Sequence, residues 1–119
     1  MPPRTSALKD RLSRRREISI EVIGRNSGRA ITIPVWFVLD GEALYLLPAR
    51  GSDTQWYKNV RKHPSIRIAA GGGETEVDVV PVTDPAQVSS VIEKFRAKYG
   101  DDGVGFYVKL DVAVVGEAR

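Results

Sequence analysis

The chain has 119 residues, of which 42% are hydrophobic and 28% charged, and it contains no cysteine. This composition is typical of a single globular domain with one core, and no apolar run reaches the ~20 residues that a membrane-spanning helix needs. The lack of cysteine excludes disulfides, zinc–thiolate sites, iron–sulfur clusters and a cysteine nucleophile. Because no signal peptide is visible, we expect a cytoplasmic protein.

The net charge of +3 is distributed unevenly along the chain. Residues 1–16 contain six basic residues and one acidic residue, a net charge of +5, so the remainder carries −2. A basic arm attracts nucleic acid, an acidic membrane surface or an anionic ligand tail, although a solvated arm without a partner is the more common explanation of such a pattern. We therefore divide the chain into a basic arm over 1–16, with a short helix over 6–15, and one domain over 17–119.

The first part of the domain has the two-residue period of β-strands. Apolar residues alternate with polar ones from Ile18 to Val22, and β-branched and aromatic residues fill 30–39. Pro34 predicts an edge position or a bulge, because proline cannot donate to a strand ladder. Asp40-Gly41 is a strong hairpin signal, and it predicts a return strand over 42–49.

The second part mixes helices and strands. Ser52 and Gln55 have the spacing of a capping box, which predicts a helix from Ser52 to Lys62, just before Pro64. Thr83 or Asp84 is predicted to cap a longer helix that starts at Pro85 and ends at Tyr99. The remaining predicted strands cover 65–70, 74–82 and 104–116. Six mostly antiparallel strands in so short a chain favour a small β-barrel whose ends are covered by helices.

Three features of the sequence point to ligand chemistry. The helix predicted after Arg50 carries Lys58 and Asn59 near its start, where backbone N–H groups favour phosphate. The turn "GRNSGR" offers the Arg25 side chain and several backbone donors to an anion. Around Pro34, free backbone groups are suited to the edge of a planar heterocycle. Each feature is also compatible with an ordinary amphipathic helix, a hairpin loop or an edge strand.

Histidine and tyrosine complete the inventory of reactive groups. His63 is the only histidine and stands before a proline, so we expect a helix-end residue rather than a triad or metal site. Tyr45, Tyr57, Tyr99 and Tyr107 are each compatible with a proton donor or with a core residue. No metal site is predicted.

The ordered motifs from Gly24 to Pro64 resemble the deazaflavin-dependent nitroreductase family, within the split β-barrel proteins related to pyridoxamine 5′-phosphate oxidase. The matching features are a Gly-Arg-x-Ser-Gly turn, a proline-bearing strand, a hairpin and a Trp-x-x-Asn helix that ends at a proline. The resemblance implies a mainly β (α+β) split barrel with two or three helices. It also implies an oxidoreductase that uses coenzyme F420 to reduce an electron-poor small molecule such as a quinone, nitroaromatic or enone.

The resemblance also implies where the cofactor binds. The ring would lie against the proline strand, the phosphate would lie near Arg50 and the Trp-x-x-Asn helix, and the basic arm would meet the oligoglutamate tail. Relatives often carry further cations at the places of Asn26 and Ile31, so the cationic cradle is thinner here. The implied cofactor-binding residues are Arg25, Asn26, Ser27, Gly28, Ile33, Pro34, Val35, Trp36, Arg50, Gln55, Trp56, Lys58 and Asn59, with Tyr99 and Tyr107 as catalytic candidates.

Two alternatives to this function stay open. Related barrels bind FMN or haem, so a small flavin reductase or haem-binding protein is the first alternative. A nucleic-acid-binding module that uses the basic arm is the second, although the net acidic body does not favour specific nucleic-acid binding. We also expect a homodimer that pairs through the strand over 104–116, and peripheral membrane contact through the arm.

Overall fold

The structure, a computed structural model, describes residues 15–40, 43–70 and 73–118. Within them the chain forms six strands, two helices and one 3-10 turn, Gly51–Asp53. The helix predicted over 6–15 lies almost wholly outside the described residues, as do Gly41 and two of the three glycines at 71–73. In chain order the strands and helices are β1 (Glu17–Ile23), β2 (Ala30–Asp40), β3 (Ala43–Leu46), α1 (Gln55–Lys62), β4 (Ser65–Ala70), β5 (Gly73–Val82), α2 (Pro85–Val104) and β6 (Ala113–Ala118).

The six strands close into a barrel in the order β1-β2-β3-β6-β5-β4, and all neighbouring pairs are antiparallel. Inward side chains alternate with outward ones, as in Ile18, Ile20 and Val22 of β1, which are 3%, 0% and 0% exposed. Closure pairs every strand with two neighbours over at least part of its length. The predicted antiparallel split β-barrel is confirmed.

Pro34 lies in an edge portion of β2, as predicted. Residues 30–36 pair only with β1, whereas the following residues, Phe37–Asp40, pair with β3. The register with β1 runs unbroken through Ser19↔Pro34, so the strand contains no bulge there. One side of β2 around Pro34 therefore remains open.

The start predicted for α1 is wrong. The helix begins at Gln55 after Thr54, and Ser52 lies in the 3-10 turn. Asp111 accepts hydrogen bonds from the Ser52 backbone N–H at 2.9 Å and from its hydroxyl at 2.6 Å. Because these contacts occupy Ser52, it does not form the capping box. The predicted end at Lys62 is confirmed, with His63 as the C-terminal cap.

The end of α2 and the start of β6 also differ from the prediction. The helix bends at Gly100, whose φ is +80°, and continues to Val104 instead of ending at Tyr99. Residues 105–112 form a loop, and only Ala113–Ala118 form the last strand. The capping of α2 by Asp84 is confirmed, since its carboxylate accepts from the Gln87 N–H at 3.1 Å.

Candidate functional site

An open apolar cleft of about 200 Å³ lies beside the open part of β2. Its lining combines the proline strand, the end of β3, the first turn of α1 and the loop after α2. The lining residues are Glu17, Pro34, Val35, Trp36, Leu47, Ala49, Trp56, Phe106 and Tyr107. Two indole rings and one proline in so small a volume make a surface suited to a planar aromatic ligand.

The loop after α2 is held by backbone contacts against the segment that follows β3. The Val108 N–H donates to the Ala49 carbonyl at 2.7 Å, and Lys109 pairs with Arg50 in a parallel bridge. These contacts bring Phe106 and Tyr107 to the cleft, where Phe106 remains 75% exposed. Phe106 was not predicted as a site residue, because the sequence pattern over 104–116 was interpreted as a strand.

The open edge of β2 presents backbone groups toward the cleft. Both the N–H and the C=O of Phe37 bond the Tyr99 hydroxyl, on the side of β2 that faces Arg16. Because backbone groups alternate along a strand, those of Trp36 and Pro34 point to the opposite, open side. That edge consequently carries the Pro34 carbonyl and the Trp36 N–H.

The "GRNSGR" turn packs on α1 through Arg25. Asn59 Oδ1 accepts from the Arg25 backbone N–H at 3.1 Å and from Nη1 at 2.8 Å, while Gln55 Oε1 accepts from Nη2 at 2.8 Å. The Arg25 carbonyl accepts from Lys62 Nζ at 2.9 Å. Asn59 is only 5% exposed. The side-chain amides of Gln55 and Asn59 thus position the Arg25 guanidinium. The sequence does not predict these contacts between the turn and α1.

Positive charge around α1 has few acidic partners. Within the part of the chain that the structure describes, no carboxylate forms an ion pair with Arg25, Arg50 or Lys58; the recorded pairs involve Arg67, Lys94, Arg96 and Lys109. A guanidinium held by neutral amides keeps its full charge available for an anion. The surroundings of Arg50 are more acidic, because Lys109 pairs there with Asp53 at 3.4 Å and Asp111 at 3.6 Å.

The remaining predicted site residues lie on these same elements. Asn26, Ser27 and Gly28 are exposed in the turn, which is closed by Ser27 Oγ accepting from the Arg29 N–H at 3.2 Å and by Gly28 at φ +70°. Ile33 packs against the barrel core, and Trp56 anchors α1 beside the buried Tyr57 and Val60. The structure therefore gathers the predicted residues into a cleft and an adjoining cationic face.

The two candidate tyrosines have different surroundings. Tyr107 lines the cleft, and burial raises the pKa of its hydroxyl, which stays protonated at neutral pH. Tyr99 does not line the cleft; its hydroxyl contacts the Phe37 N–H at 3.0 Å and the carbonyls of Phe37 and Arg16 at 2.9 and 2.6 Å. Because that hydroxyl is bonded to backbone, the geometry does not support Tyr99 as a proton donor.

Lys98 is next to this cluster and gives a testable pH dependence. Burial lowers its pKa to about 8, with repulsion from Arg16 as the second cause, against an ordinary value of 10.5. Between pH 8 and 10.5 the unfolded chain binds more protons at this residue, so its contribution to the free energy of unfolding rises with pH. The pKa values of Tyr57, Tyr99 and Tyr107 are raised, and they oppose this rise only near pH 10 and above.

We expect urea unfolding to show this rise in the wild-type chain between pH 8 and 10, and Lys98→Met to abolish it. Lys94→Met is the matched control, because hydrogen bonding to Asp40 raises the pKa of Lys94. If the free energy of unfolding rises equally with pH in the wild-type and Lys98→Met chains, Lys98 is not the origin of the rise.

Solved structures share this fold at low sequence identity. The heme storage protein HutZ from Vibrio cholerae is 14% identical, with a TM-score of 0.72 over 96% of this chain and 89% of that chain. An F420-H2 dependent reductase, FDR-A, is 16% identical, with a TM-score of 0.68 over 87% and 95%. An F420 reductase is 19% identical, with a TM-score of 0.67 over 100% and 96%.

These similarities confirm the predicted split-barrel resemblance at the level of the fold. In the described part of the chain, no helix has the length and apolarity to cross a membrane. No curated protein matches the chain in sequence. A family model does match it over residues 9–113, and on that match the chain belongs to DUF2255, the family described as "Uncharacterized protein conserved in bacteria".

Proposed function

We propose that the protein is an oxidoreductase that uses reduced coenzyme F420 to reduce an electron-poor small molecule such as a quinone, nitroaromatic or enone. The observation that carries the proposal is the position of the tryptophan-lined cleft beside cations that lack carboxylate partners among the described residues. A planar heterocycle with a phosphodiester tail requires both surfaces. The reductase names of two proteins with the same fold support the same choice.

The residues present fit such a cofactor. The cleft would hold the ring between the Pro34–Trp36 edge and Trp56, with backbone donors and acceptors on one side. Arg25, Arg50 and Lys58 would hold the phosphate, together with the exposed turn at 26–28. Glu17 lines the cleft as well. Its negative charge would disfavour phosphate on that side and direct it toward α1.

The acidic tail of the cofactor has a partner in the basic arm. Residues 1–16 carry a net charge of +5, and Glu17, the next residue, lines the cleft. The arm therefore joins the domain beside the proposed ring site. Oligoglutamate binding there should weaken as salt is added, because the attraction is between exposed charges.

The deazaflavin supplies hydride when it is bound, and the protein positions the ring and excludes water. Trp36, Trp56 and Leu47 would shield the ring from solvent, since their side chains form much of the apolar lining. The Tyr107 hydroxyl, or solvent, would donate a proton in addition to the hydride, so the acceptor would gain two electrons and two protons in total. Because burial raises the pKa of Tyr107, its proton is retained at neutral pH.

FMN is the second candidate, because it also combines a planar ring with a phosphate and the same two surfaces would bind it. Haem binding, the stated role of HutZ, has less support from the site. His63 lines a different cavity, beside Glu21, Arg67 and Asp78. No histidine lines the cleft among the described residues.

Turnover under anaerobic conditions tests the proposed activity. Reduced F420 mixed with a naphthoquinone should be oxidised by the protein faster than in its absence, and heat-unfolded protein should give no acceleration. Reduced FMN should be a poor substitute. Rapid quinone reduction with reduced FMN and none with reduced F420 would replace the proposal by the FMN alternative.

A homodimer is also proposed, although only Ala113–Gly116 of the pairing strand predicted over 104–116 belong to a strand. On the outside of the barrel, Val115 of β6 is in register with Tyr45 and Val80, and Val80 is 61% exposed. Tyr45 and Val115 pack partly against the cluster that contains α2, so Val80 is the exposed part of this row that would face a second copy. Light scattering should give twice the chain mass, and a particle of 13.1 kDa would contradict it.

A further inference from the structure

The Tyr99 hydroxyl occupies the point at which the β1–β2 ladder ends. Glu17↔Trp36 is the last pair in register. Beyond it, the Phe37 N–H donates to Tyr99 Oη at 3.0 Å, and Oη lies 2.6 Å from the Arg16 carbonyl and 2.9 Å from that of Phe37. Instead of pairing directly with Arg16, Phe37 is connected to it through a side chain from α2. The Tyr99 hydroxyl oxygen therefore connects α2 with β2 and with Arg16, the residue before β1.

The ring of the same tyrosine supports the wall of the cleft. It stacks on Trp36 with ring centroids 4.5 Å apart and planes 10° apart, and it packs on Phe95 with ring centroids 5.7 Å apart. Trp36 lines the cleft, whereas Tyr99 does not. An aromatic stack of this kind fixes the plane of both rings. The orientation of Trp36 thus depends on a residue outside the cleft.

Gly103 allows this stack to form. A Cβ atom at position 103 would lie 2.7 Å from Tyr99 Cβ and 3.4 Å from Trp36 Cζ3. The first distance is shorter than side chains tolerate, so residue 103 must lack a side chain for α2 to place Tyr99 under Trp36. The glycine is buried in the last turn of that helix.

We propose that Tyr99 is a positioning residue for the ring of the bound cofactor: it holds the indole of Trp36 in the plane that the ring requires and anchors the end of β2 without contacting the ligand. This inference rests on the proposed function for the identity of the ring. Its structural part, the control of Trp36 by the Tyr99 hydroxyl, is independent of which ring binds. The same contacts with Arg16 fix the point at which the basic arm leaves the domain.

The first measurement tests the control of Trp36 alone. The chain has two tryptophans, so Trp56→Phe leaves Trp36 as the single indole fluorophore. In that background we expect Tyr99→Phe to raise acrylamide quenching of Trp36 by about twofold and to reduce its near-ultraviolet circular dichroism, because the ring loses its hydroxyl anchor. Tyr45→Phe, a change on the outer surface of β3, should alter neither signal. Unchanged quenching and dichroism in Tyr99→Phe would overturn the inference.

The second measurement tests the consequence for binding, with the natural tryptophans present. Tyr99→Phe should weaken F420 and its phosphate-free ring by the same factor, about three- to tenfold, because the effect acts on the ring and not on the phosphate. Wild-type affinity for both ligands, together with a lower unfolding temperature, would reduce Tyr99 to a purely structural residue. If the wild-type chain binds neither F420 nor its phosphate-free ring, the proposed function fails. The acrylamide quenching of Trp36 then still decides whether Tyr99 controls Trp36.

Discussion

Replacing Arg25 with alanine is expected to weaken the binding of F420 by about 1.5–3 kcal/mol, roughly ten- to a hundredfold, the range for hydrogen bonds to a charged group. The guanidinium is positioned by Asn59 at 2.8 Å and by Gln55 at 2.8 Å, and no carboxylate of the described residues pairs with it. The phosphate-free ring should bind equally well to the variant and to the wild-type chain. Isothermal titration with both ligands separates the two effects.

Two neighbouring arginines provide matched comparisons for Arg25. Arg29→Ala removes an exposed cation of the same turn and should change F420 affinity little. Arg50→Ala should lower affinity, but by less than Arg25→Ala, because Asp53 and Asp111 lie nearby with Lys109. Arg50→Lys should recover part of that loss, since it keeps the charge but not the forked donor geometry. An Arg25→Ala isotherm that overlays the wild-type curve would remove Arg25 from the phosphate site.

Asn59→Asp is expected to weaken phosphate recognition and keep the fold. Asn59 Oδ1 accepts from both the backbone and the side chain of Arg25, and an aspartate oxygen can accept the same two bonds. The added negative charge would neutralise the guanidinium, so F420 affinity should fall by about 1.5–3 kcal/mol, as in Arg25→Ala. Binding of the phosphate-free ring should remain.

Asn59→Ala separates two effects on Arg25: the loss of the acceptor that positions its side chain, and the neutralisation of its charge by an aspartate. Removing a 5% exposed acceptor leaves the Arg25 backbone N–H without its partner, which should cost about 1–3 kcal/mol of folding free energy. We therefore expect Asn59→Ala to be less stable to urea than Asn59→Asp, whereas both lose F420 affinity. Equal F420 affinity of Asn59→Asp and the wild-type chain would show that the anion does not contact Arg25.

The barrel could be predicted from the sequence because strands of period two carry their own signal. Ile18, Ile20 and Val22 alternate in the sequence and are all buried in the structure. The edge position of Pro34 also followed from one residue, because the missing N–H restricts where proline can lie in a sheet. Each of these inferences depends only on residues that are close together in the sequence.

The errors arose where distant residues compete with local patterns. The capping box at Ser52 failed because Asp111, 59 positions away, binds both the backbone and the hydroxyl of that serine. The strand predicted over 104–116 failed at its start, because α2 continues past Gly100 and the following loop is held by Ala49. Neither partner can be identified from local spacing.

Most residues of the candidate site could be named from the sequence, whereas the contacts between them could not. The Arg25 turn and the Asn59 helix appeared in the sequence as two separate anion-binding features, and the structure joins them across 34 positions. Asn59 is predicted to contact phosphate, and the structure adds that its oxygen accepts from Arg25. Tyr99 is predicted to donate a proton, and the structure places its hydroxyl against the Phe37 N–H and the carbonyls of Phe37 and Arg16. Such roles depend on which polar groups meet in three dimensions, which periodicity does not encode.

Equilibrium titration of the purified chain with F420, its phosphate-free ring, FMN and haem tests the central claim most directly. Quenching of Trp36 and Trp56 by the ligand supplies the signal, because both indoles line the cleft. We predict saturable binding of F420 that is tighter than binding of the phosphate-free ring, by a margin that Arg25→Ala reduces. Saturable binding of FMN or haem with no binding of F420 would contradict it.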